Sequence, residues 1–218
     1  MRNWWKIVAV IFIIYSLIAG FLVEVPRQVI LYESIRNLYF HVPMWFSMTL
    51  LFLASVIYSI MGLASGKIEH DKKAEALVNT GIVFGVLGLT TGSLWAKYTW
   101  GTWWTNDVKL NGSAISMLIY LAYVVLRGSL TDEQKRARIS AVYNIFAFVL
   151  LIVFIGILPR MTDSLHPGNG GNPGFGNYDL DNKMKLVFYP AVIGWILFGL
   201  WITNIKLRLA KLKERINK

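Results

Sequence analysis

The chain has 218 residues, of which 56% are hydrophobic and only 16% are charged, and its formal net charge is +10. Charged residues are too sparse for a water-exposed globular surface, where about a quarter are usual, and for a disordered chain. The chain contains no cysteine, which excludes disulfides, thiolate metal sites and covalent Cys-x-x-Cys-His haem attachment. The composition therefore indicates a polytopic membrane protein.

Six apolar stretches are candidates for membrane-spanning helices, each of which needs about 20 mostly apolar residues. They cover residues 7–23, 41–64, 76–94, 113–126, 141–158 and 186–205. The fourth is the shortest and can gain length from residues 108–112 at its outer end. The sequence thus predicts an all-α protein, a single membrane domain of residues 1–218 with six transmembrane helices.

Basic residues fall mainly on one side of the membrane when the stretches alternate across it, with 15 Lys and Arg on that side and 7 on the other. The positive-inside rule then makes both termini cytoplasmic, including the basic tail of residues 206–218. The positive charge therefore reflects topology, and we expect contact with the lipid bilayer and none with nucleic acid. An alternative for the first stretch is a signal peptide, which would leave five spans.

The predicted outer loop of residues 95–112 contains four of the nine tryptophans of the chain. It reads Trp95-Ala-Lys-Tyr-Thr-Trp100-Gly-Thr-Trp103-Trp104-Thr-Asn-Asp107. Two interpretations are open at this point. The indoles form part of an aromatic belt at the headgroups, or they form a rigid apolar surface for a large planar aromatic ligand.

Two of the three histidines, His41 and His166, lie on the same predicted side as this loop. Each alone is an ordinary interfacial or loop histidine. Together with the indoles they suggest haem, a planar ligand whose iron takes axial imidazoles. Basic outer residues that could pair with the haem propionates are Arg36, Lys97, Lys109 and Arg160.

The third outer loop, residues 159–185, is rich in Gly, Pro and Asn, a composition that disfavours a helix. It is either a flexible linker or a lid over a bulky ligand. The sequence has no phosphate-binding loop and no hydrolase motif, and its spans are nearly free of charge. These features argue against an ATP-driven motor, a hydrolase and an ion-coupled transporter.

The segment from Trp100 to Asp107, between the third and fourth spans, resembles the WWD motif of haem-handling membrane proteins. Size and span number make the chain similar to the CcmC family of the system I cytochrome c maturation pathway, and Tyr39-Phe-His41-Val-Pro43 and Leu165-His166 extend the resemblance. Asn106 stands where the family pattern, Trp-Gly-x-Trp-Trp-x-Trp-Asp, has a tryptophan. Residues 161–165 also lack the tryptophan usual before the second histidine.

The resemblance implies a haem transfer or translocation subunit and not a chemical enzyme, with haem-lyase activity only alongside partners. It implies transient, non-covalent haem b at the periplasmic face, with His41 and His166 as axial ligands to the haem iron. Asp107 would shape the loop or contact a partner, and Gly101 would allow close backbone approach. The implied haem-binding surface consists of Trp95, Trp100, Gly101, Trp103, Trp104 and Asp107.

The implied partners belong to the bacterial inner membrane. They are a membrane-anchored periplasmic haem chaperone of the CcmE type, the ATPase and membrane subunits of an ABC transporter, and a small single-span helper. Alternatives are a system II WWD protein, a b-type cytochrome that carries electrons, and a structural subunit whose Trp-rich loop docks a partner. A b-type cytochrome usually has histidines deep within its spans, which this sequence lacks.

Overall fold

A computed structural model describes residues 3–28, 31–166 and 180–216 of the chain. Within them, six helices are long and apolar enough to cross a membrane, and no described residue lies in a strand. This confirms the prediction of an all-α, multi-pass membrane protein, while the cytoplasmic placement of the termini stays a prediction. The helices are α1 (Trp4–Leu22), α2 (Leu38–Ser65), α3 (Ile68–Trp100), α4 (Val108–Gly128), α5 (Glu133–Met161) and α6 (Asn182–Ile216).

The third helix is much longer than its apolar stretch, with 33 residues. It includes most of residues 65–75, the predicted connection between the second and third spans. Glu69 and Asp71 in its first turn interact favourably with the helix dipole. At the other end it includes Trp95 and Trp100. The predicted loop of residues 95–112 is therefore non-helical only between α3 and α4, because α4 starts at Val108 and supplies the predicted extension of the fourth span.

The fifth helix changes its winding near its outer end. It is α-helical over Glu133–Ile152, π-helical over Val153–Ile157 and α-helical again over Leu158–Met161. Helix α4 comes very close at this point, since a Cβ on Gly112 would lie 2.7 Å from the carbonyl oxygen of Phe154. Single π turns of this kind often occur beside functional sites.

The two remaining predicted segments are partly helical. Of the Gly- and Pro-rich loop, the first residues belong to α5 and those from Asn182 belong to α6, while residues 167–179 lie outside the described part of the chain. The basic tail continues α6 without interruption to Ile216.

The core of the bundle forms where α2 packs against α3, α5 and α6. The ring of Phe52 stacks on Tyr120 with centroids 3.6 Å apart, and Gly81 makes room for it, since a Cβ there would lie 2.5 Å from Cε1 of Phe52. Buried Asn144 donates to the hydroxyls of Ser55 and Ser59, each at 2.9 Å. These three buried polar side chains thus satisfy one another within the bundle, as a low-dielectric environment favours.

A buried ion pair joins α3 and α4 at the end of the bundle where α3 begins. The guanidinium of Arg127 binds both carboxylate oxygens of Asp71, at 2.6 and 2.9 Å, and also Glu75 at 3.0 Å. Arg127 and Asp71 each have side chains only 7% exposed. Bidentate geometry of this kind adds both energy and direction to a helix contact.

We predict that Arg127→Met lowers stability by about 3–5 kcal/mol, because it leaves the Asp71 carboxylate buried without a partner. Lys73→Met, which breaks the partly exposed pair with Glu69, should cost less than about 1 kcal/mol. Thermal unfolding of the detergent-purified variants measures both. The double variant Arg127→Met/Asp71→Leu should recover part of the loss, and equal effects of Arg127→Met and Lys73→Met would contradict the prediction.

Candidate functional site

A cavity of about 330 Å³ lies at the end of the bundle where α2 begins and α3 ends. Both His41 and His166 line it, although 125 residues separate them in sequence. Most of its other lining groups are apolar. Five further lining residues bear on the chemistry: Trp45, Trp95, Trp104, Lys109 and Arg160. The structure therefore brings the two predicted histidines together at one mainly apolar pocket.

His41 lies in the first turns of α2 and its ring is held by α3. Its Nδ1 lies 3.1 Å from the carbonyl oxygen of Gly88 and 3.2 Å from the hydroxyl of Thr91. A carbonyl can only accept a hydrogen bond, so Nδ1 carries the hydrogen and Nε2 keeps its lone pair. Nε2 is then the nitrogen of His41 that can ligate a metal.

Glycines on α3 make space for the aromatic rings of α2. A Cβ on Gly92 would lie 2.6 Å from Cε1 of His41, and one on Gly88 would lie 2.9 Å from Trp45. The His41 ring also meets the edges of Trp45 and Trp95, with centroids 6.2 and 5.8 Å away. The position of the imidazole therefore depends on two small residues one helical turn apart.

The carboxylate of Asp107 connects the two outer segments of the site. As the N-cap of α4 it accepts the backbone N–H groups of Lys109 at 3.0 Å and Leu110 at 3.1 Å. It also accepts the hydroxyl of Ser164 at 2.9 Å and the N–H of Leu165 at 2.8 Å. The segment before His166 is thereby fixed to the start of α4.

Asp107 also sets the chemical state of His166, whose Nδ1 lies 3.1 Å from its Oδ1. Burial raises the pKa of Asp107, but hydrogen bonds from His166, from the backbone and from Ser164 outweigh burial and hold that pKa well below its usual value. Burial lowers the pKa of His166 more than the hydrogen bond to Asp107 raises it. A neutral imidazole thus donates from Nδ1 to an anionic carboxylate, and its Nε2 is the ligating nitrogen.

The four tryptophans of residues 95–112 do not all line the cavity. Trp95 and Trp104 line the cavity, and Trp100 meets His166 edge-on with centroids 5.1 Å apart. Trp103 is 57% exposed and lies outside the lining. Two of these indoles thus face the cavity and one is at the surface, and both the aromatic belt and the ligand-binding surface stay predictions.

Asn106, which replaces a tryptophan of the family pattern, supports the indole of Trp104 indirectly. The Nε1–H of Trp104 donates to Oδ1 of Asn111 at 3.0 Å, and Nδ2 of Asn111 donates to Oδ1 of Asn106 at 2.8 Å. Asn106 therefore helps to fix the amide that orients a lining tryptophan.

Three further residues of the predicted site lie outside the cavity lining. Gly101 has φ +80° and open space around it, so it ends α3 in the left-handed conformation, and the close backbone approach to a ligand expected of it stays a prediction. Arg36 donates to the carbonyls of Gly20 and Val23, which ties it to the end of α1. Lys97 donates to the carbonyl of Gly101 at 2.9 Å.

Of the four predicted cations, only Lys109 and Arg160 line the cavity. Arg160 follows directly after the π turn of α5. Charge and side of the membrane alone do not distinguish these two from Arg36 and Lys97, which lie outside the lining.

Sequence reasoning missed Trp45, Gly88, Thr91 and Gly92. Trp45 follows His41 by four residues, a spacing that places both on one helix face. Gly88 and Gly92 have the small-xxx-small spacing of close helix contacts in membranes. Both spacings were available in the sequence, but neither indicates which helix packs opposite.

Comparison with known proteins identifies the family. The whole chain, residues 1–218, matches the family CcmC, described as heme exporter protein C. The chain belongs to the CcmC family. Its position in this family agrees with the resemblance noted from the Trp-rich segment and the two histidines.

Two relatives of this CcmC-family chain match most of its length at low identity, and a third matches a shorter part at higher identity. Heme exporter protein C of Escherichia coli strain K12 is 24% identical over 187 residues, 84% of this chain and 71% of the relative. The Haemophilus influenzae protein of that name is 26% identical over 195 residues, 84% and 73% of the two chains. Cytochrome c biogenesis protein CcsA of Prochlorococcus marinus is 38% identical over 89 residues, 41% of this chain and 28% of that protein.

We predict that Asp107→Ala frees residues 162–166 from α4, because the carboxylate accepts hydrogen bonds from Ser164, Leu165 and His166. Amide hydrogen exchange of this segment should accelerate about tenfold or more, and loss of the cap should cost about 1 kcal/mol of stability. Asn106→Ala, which removes a neighbouring amide of the same loop, is the control and should leave that exchange rate unchanged. Unchanged exchange in Asp107→Ala would refute the anchoring role.

Proposed function

We propose that this CcmC-family chain binds haem between His41 and His166 at the periplasmic end of its bundle, and delivers it to a membrane-anchored haem chaperone during cytochrome c maturation. The observation that carries the proposal is the convergence of both histidines on one apolar cavity. The names of the relatives, heme exporter protein C and cytochrome c biogenesis protein CcsA, support a role in haem handling and in cytochrome c maturation.

The residues at the cavity fit haem chemically. Each imidazole has its Nδ1 engaged and its Nε2 available, which is the state required of an axial ligand. Haem supplies an iron with two axial positions and a wide apolar ring. Around that ring, Trp45, Trp95 and Trp104 offer apolar faces and edges with few hydrogen-bonding demands.

The propionates require positive partners near the rim. Lys109 and Arg160 line the cavity and are the residues we assign to this role. Arg36 and Lys97 are left out of the assignment because neither lines the cavity.

The two histidine ligands support a role in the transfer of haem and not in the formation of a covalent bond. Two neutral imidazoles and aromatic contacts hold a cofactor without any covalent bond, so a competing ligand can remove it. Exposed Tyr98 and Trp103 lie beside the site and would contact the chaperone. Asp107 is only 4% exposed, so its assigned role is to shape the loop and not to contact a partner.

The wider assignment follows the family. The chain would lie in the bacterial inner membrane with its termini in the cytoplasm, and would work with the ATPase and membrane subunits of an ABC transporter and a small single-span helper. An electron-carrying b-type cytochrome is less well supported, because both histidines lie at one end of the bundle and not midway along the spans.

We predict that His41→Ala and His166→Ala each abolish the absorption spectrum of bis-histidine haem in the purified protein, because each removes one axial nitrogen. Added imidazole should restore a six-coordinate spectrum in both, which separates ligand loss from misfolding. If both single variants retain the original spectrum, the axial assignment is wrong.

We predict that Gly92→Ala weakens haem binding by about tenfold or more, because its Cβ would occupy the place of the His41 ring. Overpacking costs about 1–3 kcal/mol and the better helix propensity of alanine offsets about 0.5–1 kcal/mol of it, so the variant should still fold with a modestly lower thermal stability. Gly128→Ala, at a helical glycine with open space around it, is the matched control and should leave the haem spectrum unchanged. Equal spectra and affinities in both variants would contradict this role for Gly92.

A further inference from the structure

A second cavity lies at the opposite end of the bundle from the histidines and has a volume of about 680 Å³. It is bounded by the last turns of α2, the start of α3 and the first turns of α5. Its lining includes three basic side chains, those of Lys67, Lys135 and Arg138. By the charge distribution of the sequence, this end faces the cytoplasm.

The positive charge of this cavity is not neutralised within the described part of the chain. None of the three cations forms an ion pair with a described acidic residue. Asp71 is the acidic residue of the lining, and its carboxylate is bound bidentately by Arg127. The cavity therefore presents a surplus of cations to whatever enters it.

Nearby acidic residues are also committed to other partners. Glu69 pairs with Lys73, and Lys72 pairs with both Glu133 and Glu214. The carboxylate of Asp132 caps α5 by accepting the backbone N–H of Lys135. These contacts leave the charged groups of Lys67, Lys135 and Arg138 available for an anion.

The uncharged part of the lining is mostly apolar, beside the polar groups of Tyr58, Ser59 and Gln134. Gly62 and Leu63 come from α2 and Ala137 comes from α5, both of which are spanning helices. Leu63 is 39% exposed. A free phosphate ion would meet the cations and leave this apolar half uncovered, whereas a phospholipid has a part for each half.

We propose that this cavity binds an anionic phospholipid of the cytoplasmic leaflet. The phosphodiester lies among Lys67, Lys135 and Arg138, and an acyl chain follows the groove beside Leu63 and Ala137. The site is separate from the histidine cavity and does not depend on the haem assignment.

Native mass spectrometry of the detergent-purified full chain tests this, with phosphatidylglycerol as the probe and phosphatidylcholine and inorganic phosphate as comparisons. The test variant is Lys67→Gln/Lys135→Gln/Arg138→Gln. The matched control is Arg208→Gln/Lys213→Gln/Arg215→Gln, which removes the same charge from exposed residues of the helical tail on the same side. Ala137→Leu is a second test variant that fills the apolar half without any change of charge.

The cavity variant should bind phosphatidylglycerol about tenfold or more weakly than the unmodified chain, since each basic residue near an anionic lipid contributes measurably. Ala137→Leu should also weaken binding, while the tail variant should match the unmodified chain, and phosphatidylcholine should bind poorly throughout. Equal losses in the cavity and tail triple variants would overturn the proposal in favour of general surface electrostatics. Displacement of phosphatidylglycerol by inorganic phosphate, or equal binding of phosphatidylcholine, would overturn it in favour of a soluble anion or an unselective groove.

Discussion

The outer end of the molecule depends on the hydrogen bonds that the carboxylate of Asp107 accepts. Its two oxygens accept five hydrogen bonds, two from the first turn of α4 and three from residues 164–166. Such charge-assisted bonds offset the cost of burying an anion. The same group thus begins a helix, fixes a loop and orients an imidazole, so these three features of the outer end form together.

The two histidines are supported in different ways. His41 is held by a carbonyl and a hydroxyl on α3, both uncharged, and its place in a long helix limits its movement. His166 lies outside the helices, after the end of α5, and is held by the anionic carboxylate of Asp107. A carboxylate partner raises the basicity of an imidazole ligand, so in the proposed haem complex the two axial nitrogens would differ in donor strength.

Hydropathy and charge predicted the six spans because each span has to bury its apolar side chains in lipid or protein. Hydropathy and charge did not predict that α3 extends from Ile68 to Trp100. The hydropathy of a sequence falls at the membrane surface, but a helix can continue beyond that surface into water. The motif and the histidines located much of the candidate site. The roles of Gly92, Trp45 and Arg36 depend on which backbone lies opposite them, and one sequence does not specify that contact.

The π turn of α5 decides which face of its last turn points inward. A π turn holds about one residue more than an α turn, so the side chains beyond it are rotated by about 100° relative to an uninterrupted helix. Pro159 and Arg160 follow the turn and line the histidine cavity. Arg160 therefore reaches the pocket because the π turn contains one extra residue. A relative that lacks this residue would keep the membrane span but would present a different side chain to the pocket.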